Sequence, residues 1–180
     1  MKHRLLERLH ADHVNMAAVM RVMDDEFDRL EAGGEADYAL LEDALRYIAG
    51  YSDTHHHPLE DVVYDELGRA APQVAGDLGR IVEQHEKLIR QGQELKAAIE
   101  AVEEAAIVRR DTLVAAGRAY IEALRKHMQI EEGTLFPTAA EHMSSEGWAN
   151  VESHMQVPPD PLFGPKPEAE YQALLARLRD

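Results

Sequence analysis

Apolar residues recur at spacings of three and four through most of the first 140 positions, the period of an amphipathic helix. A first stretch carries Leu5, Leu9, Met16, Met20, Met23, Phe27 and Leu30, and the Gly33-Gly34 pair ends it. A second carries Leu41, Leu45, Ile48, Ser52, Leu59, Val63 and Leu67, closed by Gly68 and Pro72. A third runs Leu78, Ile81, Leu88, Gly92, Leu95, Ile99 and Val102. A fourth runs Leu113, Ala116, Tyr120, Leu124 and Leu135, with Pro137 near its end. No Gly or Pro separates the last two, and the turn between them is placed near residues 103–109. No run of β-branched residues suggests a strand. Four amphipathic helices with short links pack most simply as an up-down-up-down four-helix bundle, an all-α fold. The bundle is expected over residues 1–143. Residues 144–180 form a C-terminal extension: a short helix in SEGWANVESHM, a Pro-rich segment, and a final helix whose Tyr171, Leu174, Leu175 and Leu178 dock on the bundle.

Ten histidines is a high count, and their helical phase says more than their number. At 100° per residue His13 falls on the stripe of Leu9, Met16 and Met20, with His10 at its edge. His85 lies between Ile81 and Leu88. His127 and Glu131 line up with Tyr120 and Leu124. His56 falls near the line of Leu45, Ser52 and Leu59, with Glu60 one turn on, whereas His57 and Asp61 point away. Each helix thus carries an inward histidine, and two helices add a carboxylate four residues later on the same face.

A lone histidine on an apolar face is usually a satisfied core residue, and a single His-x-x-x-Glu pair is often a surface pair. The joint pattern differs. Two carboxylates in a bundle core are costly unless paired or coordinated, and a cation makes their burial beside four imidazoles favourable. The candidate metal ligands are His13, His56, Glu60, His85, His127 and Glu131; no catalytic residue and no organic-cofactor site is assigned. His3, His55, His57, His142 and His154 read as surface residues or outer neighbours of the site, and the methionines as core filling. Nitrogen and carboxylate donors without sulfur suit iron, manganese or zinc.

Composition removes other classes. The chain has no cysteine, so thiolate metal sites, iron–sulfur clusters, disulfides and cysteine nucleophiles are all excluded. A reducing cytoplasm fits that absence. The first residues, MKHRLLERLHADH, lack the apolar run of a secretory leader, and no stretch is apolar enough to span a membrane. A net charge of −15 with scattered Lys and Arg disfavours nucleic acid, whose binding rests on phosphate contacts.

Four motifs in order carry a family resemblance: DHVNM around His13, HHPLEDVVYDEL from His56, QHEKL around His85 and HMQIEEGTLFP from His127. Over about residues 5–140 the chain resembles the hemerythrin-like family with the HHE cation-binding domain. DPLFG, after the bundle, resembles a tail of some bacterial members. The resemblance implies a non-haem centre of two iron ions, oxo- or hydroxo-bridged. His13, His56, His85 and His127 would be terminal ligands and Glu60 and Glu131 bridges, with Glu132 and Asp61 as rival carboxylates. Oxygen-carrying hemerythrins have a fifth histidine one turn from the third-helix histidine. Here Ile81 and Ile89 stand there, so the set is one short, and water or His10 can fill the gap.

The expected function is metal binding with a small ligand such as O2 or NO, or sensing of these or of iron status. Met16, Met20 and Tyr120 would line an approach for neutral gases. An alternative is a di-iron enzyme acting on peroxide, oxygen or nitric oxide at an open coordination position. Iron storage, and an interaction bundle with incidental histidines, are weaker readings. No nucleic-acid or membrane partner is expected; a homodimer is compatible with the acidic surface.

Overall fold

A computed structural model describes residues 3–104, 107–154 and 158–179. Regular structure among them is entirely helical: α1 (Arg4–Glu31), α2 (Tyr38–Tyr51), α3 (His57–Ala70), α4 (Ala75–Glu103), α5 (Arg110–Ile130), α6 (Phe136–His142), α7 (Ser145–His154) and α8 (Gln172–Arg179). Residues 105 and 106 of the expected turn between the third and fourth helices, and residues 155–157 at the start of the Pro-rich segment, lie outside the described residues.

Local chemistry sets several of these boundaries. Gly33 takes φ 84°, the left-handed conformation that ends α1, and the Gly34 amide bonds back to the Arg29 carbonyl. Asp37 caps α2 by accepting from the Leu40 amide, and its own amide donates to the buried Glu26.

The second and fourth expected helices are each interrupted by one π-helical turn, Ser52–His56 between α2 and α3 and Glu131–Leu135 between α5 and α6. The His57 amide bonds to the Ser52 carbonyl and the Phe136 amide to the Glu131 carbonyl, both five residues back. A proline follows each turn, Pro58 and Pro137. Proline offers no N–H, and its ring collides with the carbonyl four residues earlier, here Thr54 and Gly133 inside the turns. Widening the helix by one residue relieves that collision.

α1 packs on α2 and α5, and α4 packs on α2, α3 and α5, enclosing one interior. Two apolar clusters fill it. One contains Met16, Met20, Phe27, Leu45, Ile48, Leu88, Tyr120 and Leu124; the other contains Leu6, Leu9, Leu59, Val63, Leu67, Ile81, Leu135 and Phe136. On every segment the inward histidine sits between residues of the two clusters, so the core is apolar, polar and apolar in layers.

Most stripe positions are buried as expected. Ala116 is exposed, however, and Gly117 faces inward beneath the Phe27 ring. Leu5 is half-buried and Leu6 buried. α7 packs on α3, and its Trp148 stacks on His3 at 4.1 Å. α8 packs on α1 and α2 with Tyr171 and Leu174 buried and Leu175 and Leu178 half-buried. Among the described residues no helix is long and apolar enough to cross a membrane.

Candidate metal centre

The polar layer gathers all six residues singled out from helical phase. His13, His56, Glu60, His85, His127 and Glu131 are buried, and both glutamates are 0% exposed. His56 Nε2 lies 3.0 Å from His13 Nε2 and 3.1 Å from Glu60 Oε1. His85 Nε2 lies 3.5 Å from Glu60 Oε2. Glu131 Oε2 lies 3.4 Å from His13 Nε2 and 3.3 Å from His127 Nε2, and its Oε1 is 3.7 Å from His85 Nε2.

The structure departs from the sequence reading at His57. Its side chain is buried and turned inward, with its ring centroid 4.2 Å from that of His85 and 5.5 Å from that of His127. A straight α-helix turns His56 and His57 100° apart and cannot bury both in one site. The π-turn Ser52–His56 ends on His56, with the His57 amide closing its five-residue bond to Ser52, so the wider turn brings both rings to the interior. Pro58 was the available sequence signal. The fifth imidazole therefore comes from α3 rather than α4. His10, the other candidate for that gap, is 55% exposed and bonds to Glu132 at 2.9 Å, on the wall of a surface cleft of about 320 Å³ that also includes Leu6 and Phe136.

Donor atoms fall into two groups sharing a residue. His57, Glu60, His85 and His127 offer atoms mutually within 4.8 Å, and so do His13, His56 and Glu60. Glu60 belongs to both. Glu131 also reaches across, with Oε2 near His13 and His127.

Four of the five outward ring nitrogens have hydrogen-bond partners, and His57 Nδ1 has none. His13 Nδ1 donates to Glu132 at 2.9 Å, His85 Nδ1 to Asp61 at 3.0 Å and His127 Nδ1 to the Gln84 amide oxygen at 3.2 Å. His56 Nδ1 is 3.4 Å from Asp12 Oδ2, and His57 Nδ1 is 3.7 Å from Asp53 Oδ1. Tyr64 donates to Glu131 Oε1 at 2.8 Å. The rival carboxylates Glu132 and Asp61 thus hold imidazoles from behind. This is the arrangement by which proteins orient metal-binding histidines: one nitrogen is fixed by an acceptor and the other left bare toward the ion.

Charges in the layer are strongly coupled. Burial opposes a proton on His13, but Glu131, Glu132 and Glu60 reverse this and hold its pKa well above the usual value. Burial likewise opposes charge on His85, yet the hydrogen bond to Asp61 and the nearby Glu131 and Glu60 carboxylates raise it to about 11. His57 goes the other way: burial and the neighbouring His85 charge push it well below. Burial also lowers His127. Burial would raise Glu60, but His56, His13 and His85 hold it well below the ordinary carboxylate range.

Several inner atoms still lack hydrogen-bond partners: both oxygens of Glu60, Glu131 Oε2, and Nε2 of His85 and His127. An unsatisfied buried carboxylate is expensive, and five such atoms converging on one space are what a cation would satisfy. The donor set fits iron, manganese or zinc.

Neither a search of the curated proteins nor one of the solved structures finds a match. The family model for the Hemerythrin HHE cation binding domain matches residues 4–154. That span includes every donor of the polar layer, and the chain belongs to the hemerythrin HHE cation-binding domain family.

Proposed function

We propose that this chain is a non-haem di-iron protein, built on an up-down-up-down four-helix bundle over residues 1–143, that binds or senses O2, NO or iron status. The observation supporting two ions is the pair of donor groups sharing Glu60. In this reading His13 and His56 would hold one ion and His57, His85 and His127 the other, with Glu60 and Glu131 shared between the two. His57 joins the ligand set in the place left open on α4. When bound, the iron pair supplies a redox-active Lewis acid with room for a small ligand. The chain's own part is to hold His13, His56, His85 and His127 by their outer nitrogens, to fix Glu131 through Tyr64, and to exclude bulk water. The core cluster containing Met16, Met20 and Tyr120 borders the centre and suits neutral gases over charged ligands.

Metal analysis with absorption spectra tests this reading. The reduced protein should hold about two irons per chain, one per donor group, and should develop ligand-to-metal bands on exposure to air and then azide. A protein that takes up no iron and shows no such bands refutes it. A stable spectrum after oxygen exposure favours binding. Rapid irreversible oxidation favours sensing, and sustained peroxide consumption favours an enzyme.

A further inference from the structure

The family match ends at residue 154, yet the chain beyond it reaches the partners of the centre. Residues 160–164, DPLFG, form a self-bonded turn. Asp160 Oδ1 accepts from the Leu162 and Phe163 amides, each at 2.8 Å, and the Gly164 amide donates to the Asp160 carbonyl at 2.9 Å. A Cβ on Gly164 would lie 2.2 Å from that carbonyl oxygen, so the closure admits only glycine. The turn leaves Asp160 Oδ2 pointing inward, 6% exposed as a residue, where it accepts from Asn15 of α1 at 3.0 Å and Tyr47 of α2 at 2.8 Å. Leu162 is buried in the core beside it.

Two residues upstream, the Pro158 carbonyl accepts from Arg8 at 3.2 Å. The same guanidinium donates to Asp12 Oδ1 at 2.9 Å and to the Tyr51 hydroxyl. Tyr51 donates in turn to Asp12 Oδ2, the oxygen that faces His56 Nδ1. Burial and the Asp12 charge push Tyr51 up to about 12, so it stays a donor. Tyr47 and Tyr51 stack with planes 3° apart, joining the Asp160 anchor to the Asp12 network. Among the described residues no comparable link runs from this segment to Asp61 or Gln84, which hold His85 and His127.

We propose that residues 158–164 are a clasp that positions His56: Asp160 fastens the segment across α1 and α2, and the Pro158 carbonyl holds Arg8 so that Arg8 and Tyr51 set Asp12 against the His56 ring. The proposal rests on the metal reading above and adds an asymmetry to it. One ion's pocket depends on the C-terminal extension, and the other does not. Asp160, Arg8 and Tyr51 act as positioning residues, none touching a metal.

The test uses the full-length protein, anaerobic Fe2+ as probe and a coloured chelator as competitor. His56→Ala identifies which binding step belongs to the His13–His56 pocket. Asp160→Ala and Gly164→Ala should weaken that step by roughly 10-fold, the lower end of what losing an outer partner costs. The other step should move less than about 2-fold, because its outer partners are untouched. Arg177→Gln, which lies on the same extension and breaks its pair to Asp25 of α1, should change neither. A second readout needs no metal: nitrogen NMR of the apo imidazoles should show the His56 ring-nitrogen signals shifting in the Asp160 and Gly164 variants while those of His85 are unchanged. Unchanged iron steps and an unchanged His56 signal overturn the clasp, as does an equal loss at both steps. A wild-type protein that takes up no Fe2+ defeats the metal reading, and the apo NMR then decides the clasp separately.

Discussion

The His57 and His85 imidazoles stack, with ring centroids 4.2 Å apart and planes 14° from parallel. Two protonated rings so placed would repel. His85 keeps its proton through Asp61 and the glutamates, and His57 gives its up. His57 is thus a buried neutral imidazole at the edge of the donor group that Glu60, His85 and His127 complete. As a ligand it should matter more than an outer partner does. His57→Ala is expected to weaken one of two iron-binding steps by more than the roughly 10–100-fold typical of outer partners. His55→Ala, which changes a half-buried neighbour outside both donor groups, should leave both intact. Chelator titration of the two variants decides the point, and equal behaviour would remove His57 from the centre.

The inward turn of His57 depends on the π-turn, so the turn itself is testable. Thr54 lies in it and is exposed. Deleting Thr54 leaves four residues where five stood and lets the helix run in α register. Because the π-turn carries one residue more than an α-helical path needs, the apolar face of α2 and the inward face of α3 stay aligned after the deletion. His56 and His57 then stand 100° apart on an unbroken helix, so both can no longer face the centre. Pro58 also meets the carbonyl four residues back. The variant should keep most of its helical circular dichroism, melt earlier than wild type, and lose one of the two iron-binding steps. Retained two-step binding would show that the π-turn is incidental.

The same geometry explains what could be read from the sequence. The stripes of α1 and α4 are uninterrupted, and 100° per residue placed His13 and His85 correctly in the interior. His127 and Glu131 precede or begin the second π-turn, so their phase was also intact. The rule failed where its premise failed, one residue past the first π-turn, and inverted His57 relative to His56. The layered core followed from the spacing of histidines between apolar residues. The outer partners did not: Asp12, Gln84 and Tyr64 reach their targets across helices, over 43 to 67 positions of sequence. No local pattern encodes such pairs. Ala116 and Gly117 exchanged roles for a similar reason, since the large ring that covers Gly117 comes from Phe27 on another helix.

Gly117 gives a stability prediction independent of metal. A Cβ there would meet the Phe27 ring at 2.1 Å, and Phe27 is fully buried. On an exposed helix, replacing glycine by alanine gains up to about 1 kcal/mol. Here the clash should outweigh that gain, because overpacking a core costs about 1–3 kcal/mol or more. Gly117→Ala should therefore lower the melting temperature by several degrees. The large-to-small partner change Phe27→Leu, combined with it, should recover part of the loss, the non-additivity expected of residues in contact. A Gly117→Ala protein as stable as wild type would mean that the Phe27 ring can move aside.

Protons and metal compete for the same nitrogens, and the pKa directions fix the sign. In the metal-free protein His85 holds its proton up to about 11, and His13 is also held well above the ordinary value of 6.5. Their pairing with the glutamates stabilises the apo fold fully below that ordinary value and is lost as pH rises through the raised ones. Glu60 and Glu131 are depressed, so their contribution is present above about 4.5 and is lost as pH falls through the lowered values. His57 and His127 are depressed too; the unfolded chain protonates them first, which destabilises the fold below about 6.5. A metal ion must displace the protons on His13 and His85 before it can bind. Burial opposes charge on His56 as well, but Glu60 and Asp12 raise its pKa. Loading at neutral pH should therefore release about two to three protons per chain, and affinity should rise with pH toward the His85 value. Calorimetry in buffers of different ionisation enthalpy measures the released protons directly. Heats that do not depend on the buffer would show that these rings are already neutral in the metal-free protein, contrary to the charge pattern of the layer.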